Sequence, residues 1–213
     1  MTNFVEIILR VIRGSVKLGT SKGGRGQVAQ RYFPAEFKSR KAAQIAAYFT
    51  QRKGGIEKMA LIKLMYLAER AFIEKHGAPM LYDDFVSMEH GPICSSSLNG
   101  INYSSDYDVW PNYIHLTNNK DVTAIGQLGH QDFDELSRAE WKALEDTWEK
   151  FGHMSAHQLR KYTHKHCPEY KKPKSPHKRH TIEYEKLLEV LGVPGREAIL
   201  KEIDEAKRVQ KIR

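Results

Sequence analysis

Apolar residues recur along most of this chain every three to four positions, the spacing of amphipathic helices. Residues 4–12, FVEIILRVI, place Phe4, Val5, Ile7, Ile8, Leu9, Val11 and Ile12 on one broad face. Glu6, Arg10 and Arg13 share a narrow polar wedge. The segment is β-branched enough to suit a strand as well, and periodicity alone leaves that choice open. Residues 14–26, GSVKLGTSKGGRG, carry five glycines and are expected to form a flexible basic linker. They lack the GxxxxGK[ST] spacing of a phosphate loop.

Residues 36–52 predict an Ala-rich helix whose apolar set is Ala42, Ala43, Ile45, Ala46 and Phe49, broken by Gly54-Gly55. Residues 57–75 predict the strongest helix. Met59, Ile62, Met65, Tyr66 and Ile73 line one face, and Leu61, Leu64, Ala68, Ala71 and Phe72 line much of the other. A helix apolar on several sides is expected to be central and buried. Gly77 and Pro79 mark its end. His90-Gly91-Pro92 reads as a turn, with Pro92 at the first position of a short helix over 92–100. Residues 113–117 and 121–125 predict a hairpin around Asn118-Asn119-Lys120.

Ser137 with Glu140 makes a capping box that opens a helix over 138–150, ended by Gly152. Ser155 is expected to cap a further helix to about Lys165. Residues 171–180, KKPKSPHKRH, read as a basic loop broken by proline. A helix near 182–191 and a charged helix over 196–211 follow. The expected fold class is mainly α, a compact helical domain with one small β-hairpin. Its expected division is an N-terminal amphipathic segment and linker (1–36), a main domain (37–192) and a C-terminal charged helix (193–213).

Composition adds limits. Of the 213 residues, 40% are apolar and 28% charged, a balance ordinary for soluble proteins. The apolar runs are too short for a bilayer-spanning helix, and Glu6, Arg10 and Arg13 interrupt what would have to be a signal peptide. Two cysteines, Cys94 and Cys167, make no disulfide framework, so reduced thiols and a cytoplasmic location are expected.

The net charge of +8 is unevenly placed. Residues 1–53 hold 11 basic and 2 acidic residues, 54–136 hold 5 and 12, and 137–213 hold 18 and 12. A basic average suggests nucleic acid. The acidic middle third, where the core is expected, weakens that reading and argues against sequence-specific nucleic-acid binding.

Several segments together resemble a known family. KAAQIAAYF, then KMALIKLMYLAERAFIEKHGAPM, FVSMEHGPICSSSLNG and LSRAEWKALEDTWEKFGHMSAHQLRKYTH resemble the Panacea domain, the antitoxin SocA-like family. Ile182 and Tyr184-Glu185-Lys186-Leu187-Leu188 resemble its closing segment. The likeness runs in order from about Phe37 to Gly192, and its motif residues here are His90, Gly91, Pro92, Thr163 and His164. Residues 1–36 and 193–213 lie outside it, and the His-rich stretch after Thr163 departs from it.

The resemblance implies an antitoxin of a bacterial or phage toxin–antitoxin pair, prophage-borne pairs included. It would neutralise the toxin encoded by the adjacent gene by binding it directly. Family toxins are varied and many stop translation, and some members resemble adaptors that hand the toxin to a ClpXP-type protease. The resemblance implies no enzymatic activity, no cofactor and no metal. A homo-oligomer is compatible with it, and a membrane partner is not expected.

Each candidate group has a plainer alternative. His90-Gly91-Pro92 is read as a structural turn before a contact site. Cys94 has no activating partner legible in sequence and is read as a buried thiol. His153, His157, His164, His166 and Cys167 supply zinc-type donors, so a zinc-dependent hydrolase using 153–167 is one alternative function. The spacing contains neither HExxH nor CxxC. A nucleic-acid-binding autoregulator using the basic termini and 171–180 is another. Asp83-Asp84 is expected to cap or solvate a loop.

Residues 102–113, NYSSDYDVWPNY, carry Tyr103, Tyr107, Trp110 and Tyr113 without regular periodicity, beside Asp106 and Asp108. Loop aromatics are favoured protein-interface anchors. They equally suit packing against the hairpin over the helical core, and both readings stand open. With Phe4, Ile8 and Val11 of the N-terminal segment, these six residues are the expected toxin-contact candidates.

Overall fold

The computed structural model describes residues 37–103, 108–176 and 178–210. The segment expected over 4–12, the linker over 14–26 and the contact candidates Phe4, Ile8, Val11, Asp106 and Tyr107 lie outside the described residues. Among those described, seven α-helices and two small antiparallel sheets make the fold mainly α.

The Ala-rich segment forms α1 (Ser39–Lys53) and buries the predicted Ala42, Ala43, Ile45, Ala46 and Phe49 completely. A two-residue strand, β1 (Ile56–Glu57), leads into α2 (Lys58–His76). This helix is the axis of the core and packs against α1 and later elements on several sides. Leu61, Met65, Tyr66, Ala68 and Ile73 have no exposed surface, as a helix apolar all round requires. It ends where Gly77, with φ of 66°, turns left-handed and donates its N–H to Ile73.

The region after His90 differs from expectation. Residues 91–94 are not the start of a helix. They form β3 (Gly91–Cys94), paired antiparallel with β2 (Phe85–Met88), with Pro92 opposite Ser87. Proline lacks an N–H but is tolerated on an edge strand, and β3 is an edge of its sheet, with β2 its one neighbour. The helix α3 begins later, at Ser95, and runs to Ile101. Its start is set by buried Asp83, whose carboxylate accepts from Ser96 N (2.7 Å), Ser97 N (2.8 Å) and Ser97 Oγ (2.7 Å).

The predicted hairpin is present as β4 (Ile114–Thr117) and β5 (Asp121–Ala124). Asn118 and Asn119 turn it with φ of 50° and 54°, a region asparagine tolerates. β1 pairs with β5, so the expected lone hairpin is a three-stranded sheet, β1-β5-β4. The second sheet was not expected. It is completed by β6 (His180–Ile182), which pairs with β2 through Phe85 opposite Ile182.

The helix α4 (Arg138–Phe151) opens with the predicted box: Glu140 N donates to Ser137 Oγ at 3.3 Å and Ser137 N to Glu140 Oε2 at 2.7 Å. α5 (Ala156–His166) has an equivalent box from Ser155 and Gln158. α6 (Tyr184–Val190) and α7 (Arg196–Gln210) close the chain. α7 lays Ile199, Leu200 and Ile203 against the common core. No described helix is long and apolar enough to cross a membrane.

Candidate functional site

The resemblance motifs are far apart in sequence, and the fold brings them together. β3 runs against α2 and α5. Gly91, at φ of 104°, sits at their meeting point. A Cβ at this position would lie 2.9 Å from Thr163 Oγ1, 3.0 Å from Lys63 Nζ and 3.1 Å from His164 Cδ2. Only glycine satisfies both that backbone angle and that closeness. Thr163 is fully buried and donates its hydroxyl to Arg160 O at 3.1 Å. The His164 ring stacks on Tyr170 with centroids 4.5 Å apart. The Tyr170 hydroxyl reaches Met88 O (3.1 Å) and Glu89 O (3.3 Å), so the β2–β3 turn is held from behind. His164 Nε2 is buried without a hydrogen-bond partner among the described residues.

Lys63 stands at the centre of this junction. Its side chain is fully buried and Nζ donates to Pro92 O at 2.6 Å. Burial disfavours the ammonium, and its pKa falls from 10.5 to about 7, with Arg160 pushing the same way. The unfolded chain therefore binds more protons than the folded one between about pH 7 and 10.5. The Lys63 contribution to stability is complete above that window and is lost as pH falls through it. Lys63→Met removes the titration. The wild-type advantage over that variant, read from urea midpoints, should grow by about 2–3 kcal/mol between about pH 7.5 and 9.5. A pH-independent difference would show that the amine is charged in the fold.

In front of the junction opens a groove of about 380 Å³. Met59, Ile62, Met88, Ile93 and Leu98 supply its apolar lining, with Lys63 also in its wall. Its rim includes Glu57, Lys58, Glu89, His90 and Lys120. Lys58 is fixed there by Asn102 Oδ1 (2.8 Å) and Asn119 Oδ1 (2.5 Å), which ties α2 to the β4–β5 turn. An apolar floor with a charged rim suits burial of an apolar side chain from a protein partner. His90 is exposed on the rim, while Gly91 and Pro92 are buried structure behind it.

The aromatic candidates go elsewhere. Trp110 has no exposed surface and donates Nε1–H to Ser39 Oγ at 3.0 Å. The Tyr113 hydroxyl accepts from Arg40 Nε (3.1 Å) and Gln44 Nε2 (3.2 Å). The Tyr103 hydroxyl donates to Ile114 O (2.7 Å) and accepts from Leu116 N (2.9 Å). These three fasten the segment to α1 and the hairpin, with Trp110 and Tyr113 buried and Tyr103 partly exposed. Asp108 is exposed.

Among the described residues no three His, Cys, Asp or Glu side chains converge as a metal site. Cys94 and Cys167 are buried and unpaired, and burial pushes the Cys167 thiol up to about 12 and Cys94 well above its ordinary value. Burial thus favours the neutral thiol at both positions.

Lys63, Glu69 and Glu169 were not singled out from sequence. Glu69 is fully buried and accepts from Met80 N (3.1 Å) and Leu81 N (3.0 Å); burial raises its pKa to about 8. Glu169 receives the Tyr66 hydroxyl and Arg70 Nε. For Lys63 and Glu69 the signal was there to read: a charged residue inside the one helix that is apolar on every side.

A mainly helical domain that joins two distant motifs behind a groove has the architecture of a binding module. The family comparison agrees. The model of the antitoxin SocA-like, Panacea domain family matches residues 61–170, just over half of the chain. The chain belongs to that family. Neither the search of curated proteins nor that of solved structures found a match.

Proposed function

We propose that the protein neutralises a protein toxin by direct binding, and that the groove in front of His90-Gly91-Pro92 receives an apolar anchor of that toxin. The observation that carries this reading is the matched antitoxin domain, whose two motif regions meet directly behind the groove. The mechanism is steric: the antitoxin covers the toxin's active site or the path its substrate takes. The toxin proposed is the product of the adjacent gene, acting on translation.

The test is co-expression with the neighbouring open reading frame, scored by growth and co-purification. Relief of toxicity with a stable complex supports the reading; unrelieved toxicity overturns it. A toxin half-life unchanged by the antitoxin separates occlusion from delivery to a protease.

Met59 and Leu98 are only half-buried, so Met59→Glu with Leu98→Glu should leave the fold intact. Placing carboxylates against a docked apolar anchor should weaken toxin binding by about 2 kcal/mol or more, roughly thirtyfold, as loss of an interface anchor does. Unchanged affinity measured by titration calorimetry would move the interface off the groove and leave the antitoxin reading standing.

A further inference from the structure

The face of α5 opposite its buried Leu159 and Thr163 is a single basic stripe. His157, Arg160, Lys161, His164 and Lys165 follow the spacing i, i+3, i+4, i+7, i+8 and so share one side of the helix. Together they line a shallow depression of about 470 Å³. The helix AHQLRKYTHKH contains no acidic residue, and none of the five makes an ion pair among the described residues. Lys172 extends the cluster: with burial, Arg160 and Lys63 it disfavours protonation of His164. Glu89 is close enough to be felt at Tyr170, yet it pairs with none of the five. Of the five, Arg160, Lys161 and Lys165 are the uncompensated cations, and cations crowded on one face are held at a cost that an anionic ligand relieves.

We infer that this stripe binds the phosphate backbone of a nucleic acid. An acidic protein would present the same charge, but stable protein interfaces are built round buried apolar anchors. The stripe offers none: the exposed large apolar side chain among the described residues is Ile125, beyond β5 and off this helix. A row of cations on a rigid helix without an apolar centre is what backbone phosphates require. Arg160, Lys161 and Lys165 are not in the wall of the groove, so their role is tested independently of toxin binding.

The test uses the full chain and labelled nucleic acid of arbitrary sequence, a short duplex DNA in one arm and a single-stranded RNA in the other. Binding is read by fluorescence anisotropy at about 50 and about 200 mM salt. Arg160→Gln, Lys161→Gln and Lys165→Gln together should reduce the slope of log affinity against log salt by about 2–3, and weaken binding at the lower salt by at least about tenfold. The control removes equal charge elsewhere: Lys142→Gln, Lys186→Gln and Lys201→Gln, whose parents are exposed and ion-paired. It should bind as the wild type does. Equal loss in both triple variants would reduce the effect to net charge and overturn the proposal. So would absence of binding to both probes at the lower salt, or displacement of the probes by polyglutamate more readily than by unlabelled nucleic acid. The arm that binds more tightly identifies the nucleic acid.

Discussion

Replacing Trp110 by alanine should destabilise the protein by about 3–5 kcal/mol, the usual loss when a buried aromatic is truncated in a core. The indole is completely enclosed. It lies so close over Gly100 in α3 that a Cβ at Gly100 would come within 2.0 Å of its Cε2. Its Nε1–H reaches Ser39 Oγ at the first turn of α1, so the side chain joins two helices and leaves Ser39 without that donor when removed. A single domain of this size has a total stability of about 5–15 kcal/mol, so the variant should be partly unfolded at growth temperature. Urea denaturation measures the loss directly. Any failure to neutralise toxin should then track the folded fraction and recover at lower temperature. A Trp110→Ala protein with wild-type stability and no toxin binding would return Trp110 to the interface.

The contrast between Trp110 and the capping boxes marks where sequence reasoning stops. Ser137 with Glu140, and Ser155 with Gln158, complete their bonds within four residues, so each helix start was legible from local residues alone. The helical faces of α1 and α2 were legible because their spacing needs no partner to be recognised. Pro92 was misread because proline suits both a helix start and an edge strand. The group that decides between them, the Asp83 carboxylate, comes from outside the helix and begins it at Ser95. The second sheet depends on a three-residue strand, 180–182, meeting β2 across nearly a hundred residues, and no local pattern announces it. The aromatic segment had no periodicity to read, and its hydroxyl and indole partners lie on α1 and β4. The candidate groove is likewise a product of long-range packing. Its motif residues were visible, but their meeting round Lys63 was not.

That meeting makes Gly91→Ala the most informative single change in the motif. The backbone at φ of 104° disfavours any side chain by about 1–3 kcal/mol. The added methyl would also press on Thr163 Oγ1, Lys63 Nζ and His164 Cδ2, all within 3.1 Å, and overpacking of this kind costs about 1–3 kcal/mol. The expected loss is about 3 kcal/mol, measured by urea denaturation. Part of it belongs to the backbone and part to the contact, and a double-mutant cycle separates them. Thr163→Ala removes the nearest obstructing atom at the cost of its bond to Arg160 O. If the two motifs are packed as described, the double variant should be more stable than the sum of the single losses by about 1 kcal/mol or more. Strict additivity would mean that Gly91 and Thr163 do not touch in solution. The same cycle read out by toxin affinity tests the groove. If the rear of the turn positions His90 on the rim, relief by Thr163→Ala should restore binding together with stability; stability restored without binding would separate the motif's structural role from the docking surface in front of it.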